Sequence, residues 1–174
     1  MPVNTIASKV RMLVLDVDGV LTDAGLYYDP DGRELKRFNA QDGLGIKMLL
    51  RLGIRVGVIT GLKSKAVAAR MEKLGITDYA EGIDQKLPVL DAMRSKYDLA
   101  WDEIAYVGDD WVDLPPFTKV GLPIAVANAQ PEVKERALHT TMKEGGHGAV
   151  REVVRLILTA QGKISVALAH WNIS

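Results

Sequence analysis

The sequence predicts an α/β fold built on a doubly wound parallel sheet. Short apolar runs rich in β-branched residues alternate along the chain with longer segments of helical periodicity. Several of these runs end abruptly in polar residues and glycine, as strands do at the carboxyl edge of a parallel sheet. The chain of 174 residues is long enough to bury a core, so we expect a single domain over residues 1–174.

The predicted strands are short and apolar. The clearest is Met12–Leu15, because it is wholly apolar and polar residues follow it at once. Further strands are predicted at residues 55–60, 76–83, 104–107 and 122–126. Helices are predicted at residues 43–52, 64–74, 86–97, 131–138 and 148–161. We expect Asp42 to cap the first of these helices, and Pro115-Pro116 to break the chain before the last strand.

Residues 25–38 are predicted to form a β-hairpin that projects from the sheet. Its turn is Asp29-Pro30-Asp31-Gly32, and aromatic and aliphatic residues lie on both sides. The hairpin is too short to be a cap domain, so we expect a neighbouring subunit to close any pocket at this edge of the sheet. The C-terminal tail, residues 163–174, carries no signal that assigns it a place.

The composition excludes several classes of function. Lys plus Arg and Asp plus Glu number 22 each, so no net charge attracts the chain to nucleic acid or to an anionic membrane. The chain has no cysteine, which excludes thiol catalysis and is compatible with a reducing cytoplasm. No run approaches the roughly 18 apolar residues of a membrane span, and residues 1–11 lack the apolar core of a signal peptide. We therefore expect a cytoplasmic protein.

Two carboxylates follow the first strand directly. Alternation along the strand places Asp16 and Asp18 on the same side, at the edge where α/β sheets bind ligands. Two acids this close repel each other unless a cation or a shared proton intervenes, so the spacing indicates either a Mg²⁺ site or an acid/base pair. Gly19 permits the sharp turn that both carboxylates need in order to face one ligand. Alone, these residues also fit a polar strand end followed by an ordinary turn.

The eight-residue string DVDGVLTD, which begins at Asp16, resembles the first motif of the haloacid dehalogenase superfamily of phosphohydrolases. In that superfamily the first aspartate attacks phosphorus and the second is the general acid/base. The resemblance therefore implies that Asp16 is a nucleophile, and that Asp18 protonates the leaving alcohol and later activates water.

Three more positions follow in the superfamily's motif order, and each supplies a group that phosphoryl transfer needs. Thr60 offers a hydroxyl and Lys86 a cation for the phosphate oxygens, and the helix predicted after Thr60 adds N–H donors. Asp109 offers a carboxylate for Mg²⁺. This metal is expected because the candidate ligands, Asp16, Asp109 and the backbone carbonyl of Asp18, are all oxygens. Singly, Thr60 also fits a capped strand end and Lys86 a solvated helix residue.

Asp110 and Asp113 leave two interpretations open. In the first, each residue caps a helix. In the second, each orients Lys86 and the water molecules on the metal. We favour the second interpretation for Asp113 only.

The resemblance narrows to one family over residues 12–162. The strings FNAQDGLGI, VITG, LGI, DQK, YVGDD, VGLPIAVANA and GGHGAVRE together resemble the bacterial 3-deoxy-D-manno-octulosonate 8-phosphate (KDO 8-phosphate) phosphatases. The resemblance implies a capless, Mg²⁺-dependent phosphomonoesterase of lipopolysaccharide precursor synthesis that forms an aspartyl-phosphate. It also implies a homotetramer whose hairpins pack together and whose subunits complete one another's pockets. By position it implies metal ligands at Asp16, Asp18 and Asp109, and substrate contacts at Asp18, Asn39, Asp42, Gly43, Lys47, Arg70 and Lys86.

Leu62 departs from that family's pattern. The family commonly has arginine directly after the Thr-Gly of the second strand, whereas this chain has Leu62 followed by Lys63. Leucine cannot bind a carboxylate or a phosphate, and lysine does not reproduce the bidentate geometry of arginine. One interpretation is that Lys63 replaces the lost cation. The other is a different keto-deoxy sugar acid phosphate as substrate, such as a nonulosonate 9-phosphate.

A phospho-accepting receiver domain is the main alternative from another class, because it also uses a strand-end Asp, a Thr and a Lys with Mg²⁺. Asp18 argues against it, since an acid/base two residues from the nucleophile hastens hydrolysis of the aspartyl-phosphate. A non-catalytic scaffold with the same fold is disfavoured because all four chemical positions are filled.

Overall fold

A six-stranded parallel sheet forms the centre of the computed structural model, which describes residues 2–172. Two further strands, β2 and β3, pair with each other as a separate antiparallel hairpin. In chain order the strands are β1 (Met12–Leu15), β2 (Tyr27–Tyr28), β3 (Glu34–Leu35), β4 (Arg55–Thr60), β5 (Asp78–Glu81), β6 (Ile104–Gly108), β7 (Leu122–Ala125) and β8 (His139–Thr140).

The strand order is β5-β4-β1-β6-β7-β8, and every pairing in this sheet is parallel. The chain therefore begins at the centre, runs out to one edge through β4 and β5, and returns to build the other edge from β6 to β8. This doubly wound order confirms the predicted fold class. It also makes β4 and β6 the two neighbours of β1, so the residues after all three strands meet at one edge of the sheet.

Helices flank the sheet. In the described residues they are α1 (Val3–Ala7), α2 (Ala40–Arg51), α3 (Lys65–Leu74), α4 (Lys86–Lys96), α5 (Leu114–Phe117), α6 (Pro131–Arg136), α7 (Ala149–Ala160) and α8 (Ile164–Ala169). The five predicted helices are present, and α1, α5 and α8 were not predicted. Pro115 and Pro116 do not break the chain as expected. They lie in the first turn of α5, where a missing N–H donor leaves no hydrogen bond unmade.

The core lies against the middle strands. All four residues of β1 are fully buried, because β4 and β6 cover its edges and helices cover the sheet. Helix α7 packs on α2 and buries Val150, Val154 and Ile157. Burial of each such side chain contributes about 1.5–3 kcal/mol. This packing provides the rigid support on which the strand ends present their polar side chains.

Asn39, and not Asp42, caps α2. The Asn39 Oδ1 atom accepts hydrogen bonds from Gln41 N at 2.7 Å and Asp42 N at 3.3 Å, so the helix begins three residues earlier than predicted. The Asp42 carboxylate instead accepts from the backbone N–H of Arg151 at 2.7 Å, in the first turn of α7. Asp42 is thus a cap for a different helix, a contact that local sequence does not reveal.

The hairpin is present within residues 25–38, but only two residues of each strand pair, Tyr27 with Leu35 and Tyr28 with Glu34. The predicted turn closes it, with Gly32 N–H donating to Asp29 O at 2.9 Å. At the base of the hairpin an isolated antiparallel bridge pairs Thr22 with Phe38, from the two segments that flank it. It is therefore a two-stranded ribbon separate from the central sheet.

The described part of the C-terminal tail forms α8, which packs against α7. Its Ile164, Ala167 and Leu168 line an apolar groove together with Met48 and Leu158. Residues 173 and 174 of the tail lie outside the described residues. Among the helices at residues 2–172, none is both long and apolar enough to cross a membrane.

Candidate active site

One open cavity gathers the polar residues that follow the central strands. Asp16 follows β1, Thr60 ends β4 and Asp109 follows β6, and all three side chains face the same space. Lys86 reaches it from the first position of α4. The cavity is lined by Asp16, Asp18, Ala24, Thr60, Gly61, Leu62, Lys86, Asp109, Asp110 and Val112.

Lys86 is enclosed by carboxylates. Its ammonium lies 2.6 Å from Asp16 Oδ1 and 2.7 Å from Asp113 Oδ1, and its side chain is only 1% exposed. Burial alone lowers the pKa of Lys86, but Asp16 and Asp113 outweigh that effect, so the pKa lies above its usual value and the lysine stays charged. A fixed cation therefore lies directly beside the Asp16 carboxylate.

Asp113 positions other site residues. Its Oδ1 accepts from Lys86 Nζ and from the Tyr106 hydroxyl at 2.8 Å, and its Oδ2 accepts from the backbone N–H groups of Asp109 at 2.9 Å and Asp110 at 3.3 Å. With four donors, both of its oxygens are occupied by the protein. Asp113 thus makes the contact with Lys86 that the favoured interpretation requires, and it also accepts from Asp110 N–H as a cap does. Its role toward water molecules on the metal stays a prediction. Asp110, whose side chain accepts from Trp111 N at 2.7 Å, acts as a cap.

Carboxylate oxygens of Asp16, Asp109 and Asp113 lie within 4.8 Å of one another. Burial and the neighbouring carboxylates raise the pKa of Asp16 and of Asp109, because burial disfavours an ionised carboxylate and the negative charges repel one another. A divalent cation removes that repulsion, and oxygen ligands suit Mg²⁺. Since Asp113 is saturated with protein donors, Asp16 and Asp109 are the carboxylates that fit a metal. Two of the three predicted metal ligands, Asp16 and Asp109, thus lie close together, and the third, Asp18, lines the same cavity.

Gly19 makes this approach possible. Its φ is +89°, and a Cβ atom at this position would overlap the Asp109 carboxylate. Any other residue would therefore push Asp109 out of the site, as well as strain the turn after Asp18. The predicted sharp turn at Gly19 is confirmed.

Lys36 is a site residue that the sequence did not reveal. It follows β3 of the hairpin, and its ammonium lies 2.5 Å from Asp18 Oδ1 and 2.8 Å from Glu34 Oε1. Burial lowers the pKa of Lys36, but the hydrogen bonds to Asp18 and Glu34 outweigh this and raise it. A charged residue in a hairpin is expected to face solvent, and no pattern in the sequence predicts that Lys36 contacts Asp18.

Four of the predicted substrate contacts form a second cluster. Arg70 Nη2 donates to Asn39 O at 3.2 Å, and a side chain at Gly43 would collide with the same guanidinium. Gly43, Lys47 and Arg70 line a cavity together with Lys73, separate from the one that holds Asp16. The Asp42 side chain lines neither cavity. It is buried, and burial raises its pKa.

Leu62 lies in the lining of the Asp16 cavity and is 51% exposed. The departure from the family's pattern therefore falls at the site itself. Lys63 does not line this cavity. Its side chain lies against Gly82 and borders a neighbouring depression with Glu81. Nothing in this arrangement makes Lys63 a replacement for arginine at position 62.

Comparison with known proteins matches this chain to one group of enzymes. Residues 80–153 match a family model described as haloacid dehalogenase-like hydrolase. The 3-deoxy-D-manno-octulosonate 8-phosphate phosphatase of Escherichia coli K12 is 47% identical over 161 residues, which cover 92% of this chain and 86% of the relative. The similarity thus extends over nearly the whole of both chains.

Solved structures agree with the sequence comparison. The phosphatase of the same name from Yersinia pestis superposes with a TM-score of 0.92 at 41% identity, covering 94% of this chain and 88% of the other. The enzyme from Moraxella catarrhalis, solved in complex with a magnesium ion, a phosphate ion and KDO, has a TM-score of 0.94 at 37% identity. It covers 97% of each chain. The fold and the sequence therefore point to the same relatives.

Proposed function

This chain belongs to the 3-deoxy-D-manno-octulosonate 8-phosphate phosphatase family, and from that premise we propose that it hydrolyses KDO 8-phosphate to the free sugar acid and phosphate. The observation that carries the proposal is the contact of Asp16 with the buried Lys86 in a cavity that Thr60 and Asp109 also line. These are the groups that phosphoryl transfer to a carboxylate needs. We place the reaction in the cytoplasm, as a step of lipopolysaccharide precursor synthesis.

Asp16 is the proposed nucleophile. One of its oxygens attacks phosphorus, an aspartyl-phosphate forms, and the bond from phosphorus to the sugar oxygen breaks. Lys86 and the Thr60 hydroxyl stabilise the negative charge on the phosphate oxygens, since both are fixed at the cavity wall. Asp18 gives its proton to the departing sugar oxygen, and then takes a proton from the water molecule that hydrolyses the aspartyl-phosphate.

Mg²⁺ is the proposed cofactor, held by the carboxylates of Asp16 and Asp109 and the backbone carbonyl of Asp18. When bound, it supplies the positive charge that allows a phosphate to approach two carboxylates. The Moraxella relative was solved with this ion.

The second cluster supplies cations for the sugar acid. We retain Asn39, Gly43, Lys47 and Arg70 as proposed substrate contacts, because Lys47 and Arg70 provide the charge that a carboxylate requires. Asp42 is the weakest member of the proposed set, since its carboxylate is buried at the start of α7. The two cavities are separate within one chain, which supports a substrate pocket completed by another subunit.

A homotetramer is proposed for the assembly. The hairpin exposes Leu26, Tyr28 and Leu35 to solvent, with exposures of 66%, 63% and 55%, although a two-stranded ribbon cannot bury them alone. Light scattering is expected to give four times the chain mass of 19.0 kDa. The double substitution Leu26→Asp and Leu35→Asp should dissociate it, while Met142→Asp, at an exposed apolar residue elsewhere, should not. A parent protein that is monomeric and fully active at micromolar concentration contradicts this proposal.

Hydrolysis of phosphate esters by the purified protein tests the function. With Mg²⁺ we expect phosphate release from KDO 8-phosphate, and with excess EDTA we expect none. A nonulosonate 9-phosphate is the second substrate, because Leu62 removes a cation from the cavity and leaves room there. If kcat/KM is higher for the nonulosonate 9-phosphate than for KDO 8-phosphate, the nonulosonate 9-phosphate is the substrate. A stable aspartyl-phosphate without turnover would instead support a receiver domain.

A further inference from the structure

Asp18 has an anchored oxygen and a free oxygen. Its Oδ1 accepts a hydrogen bond from the Lys36 ammonium at 2.5 Å. Its side chain remains 30% exposed and lines the cavity that holds Asp16. Among residues 2–172, Lys36 is the only group found to donate a hydrogen bond to this carboxylate. The orientation of the second oxygen toward the cavity therefore depends on one lysine.

Lys36 itself is not placed to bind substrate. Its side chain is 1% exposed, and it is absent from the lining of the cavity. Glu34 accepts from the same ammonium at 2.8 Å, and this hydrogen bond lowers the pKa of Glu34. Glu34 and Lys36 are two positions apart at the end of β3, so strand alternation turns both toward the site. Lys36 thus forms ion pairs with two carboxylates. Glu34 fixes the ammonium in place, and the ammonium in turn fixes Asp18.

We propose that Lys36 is a positioning residue for the reaction, which fixes Asp18 so that its free oxygen meets the departing sugar oxygen. The inference rests on the proposed function. In the step that it serves, a bond forms between Asp16 and phosphorus and the phosphorus–oxygen bond to the sugar breaks. The proton moves from Asp18 to that sugar oxygen, and Asp18 becomes a carboxylate. Lys36 keeps its proton throughout.

The substitution Lys36→Met tests the proposal, because it keeps the length of the side chain and removes the ammonium. The readout is kcat/KM, which reports the steps up to departure of the alcohol, on two esters. KDO 8-phosphate has an alkyl leaving group that needs a proton. We expect a loss of about 100-fold on this substrate, the usual effect of a misplaced catalytic group. Loss on p-nitrophenyl phosphate should be less than about fivefold, since its leaving group needs little protonation.

Three variants complete the experiment. Glu34→Gln keeps an acceptor for Lys36 and should show the same selective loss, but smaller, and it serves if Lys36→Met folds poorly. Lys36→Arg can pair with both carboxylates and should recover most of the activity. Lys134→Met removes an exposed lysine on α6 and should match the parent. The Mg²⁺ concentration for half-maximal activity should be unchanged in all of them.

Three results overturn the inference alone, provided that the parent is active. The first is an equal loss on both esters, and the second is full activity of Lys36→Met. The third is a raised KM for KDO 8-phosphate with unchanged kcat, which would make Lys36 a substrate contact. A parent that releases phosphate from neither ester in Mg²⁺ overturns the proposed function, and this inference with it.

Discussion

The substitution Asp16→Asn is expected to lower phosphate release from KDO 8-phosphate by at least about 10³-fold, because it removes the nucleophile and with it the covalent route. Asparagine has the same shape as aspartate, and its amide oxygen can still accept from Lys86 at the position of Oδ1. Steady-state turnover with a coupled phosphate assay measures the effect. Activity within tenfold of the parent would contradict the role of Asp16.

We expect the Asp16→Asn variant to keep its fold, so that its loss of activity can be assigned to the chemical step and not to unfolding. Asp16 is one of three crowded carboxylates, and its own burial already disfavours the charged form. Loss of its charge therefore relieves repulsion, while Lys86 keeps its pair with Asp113. We expect the melting temperature to change by less than about 4 °C, which corresponds to about 1 kcal/mol for a chain of this size. Asp91→Asn, at an exposed aspartate paired with Arg94 on α4, is the matched control for the loss of one charge.

The fold was predictable from the sequence where burial leaves a local pattern. Strands such as β1 and β4 are buried nearly throughout, so they appear as apolar runs. The edge strand β8 has only two residues, His139 and Thr140, and neither is fully buried, so no apolar run marks it. The predicted strand at residues 76–83 is shortened at both ends, because Gly75 and Gly82 adopt positive φ values that end the helix before it and the strand itself.

The site was predictable where it depends on the ends of parallel strands. Asp16, Thr60 and Asp109 follow three neighbouring strands, so topology alone brings them together. Contacts between elements far apart in sequence were not predictable, because they depend on how helices and the hairpin pack. The Asp42 cap on α7 and the contact from Lys36 to Asp18 are of this kind.

Lys86→Met is expected to damage both stability and catalysis, since Lys86 is the buried cation among three carboxylates. Methionine matches the length and removes the charge, which leaves Asp16 and Asp113 unpaired. Removal of one partner of a buried ion pair costs about 3–5 kcal/mol, so we expect the melting temperature without Mg²⁺ to fall by about 6–20 °C. Turnover should fall by about 10²–10³-fold, the usual effect of losing one donor to developing charge.

A second substitution in the same chain identifies the cause of that instability. If unpaired charge is responsible, then Lys86→Met combined with Asp113→Asn should be more stable than Lys86→Met alone, because the amide carries no charge. Its oxygen can still accept from Asp109 N–H, and its NH2 group can donate to the Tyr106 hydroxyl oxygen. Added Mg²⁺ should also raise the melting temperature of Lys86→Met by more than that of the parent, since the ion neutralises Asp16 and Asp109. Lys119→Met, at an exposed lysine, controls for the loss of a positive charge. A double variant less stable than Lys86→Met would mean that packing, and not charge, makes Lys86 indispensable to the fold.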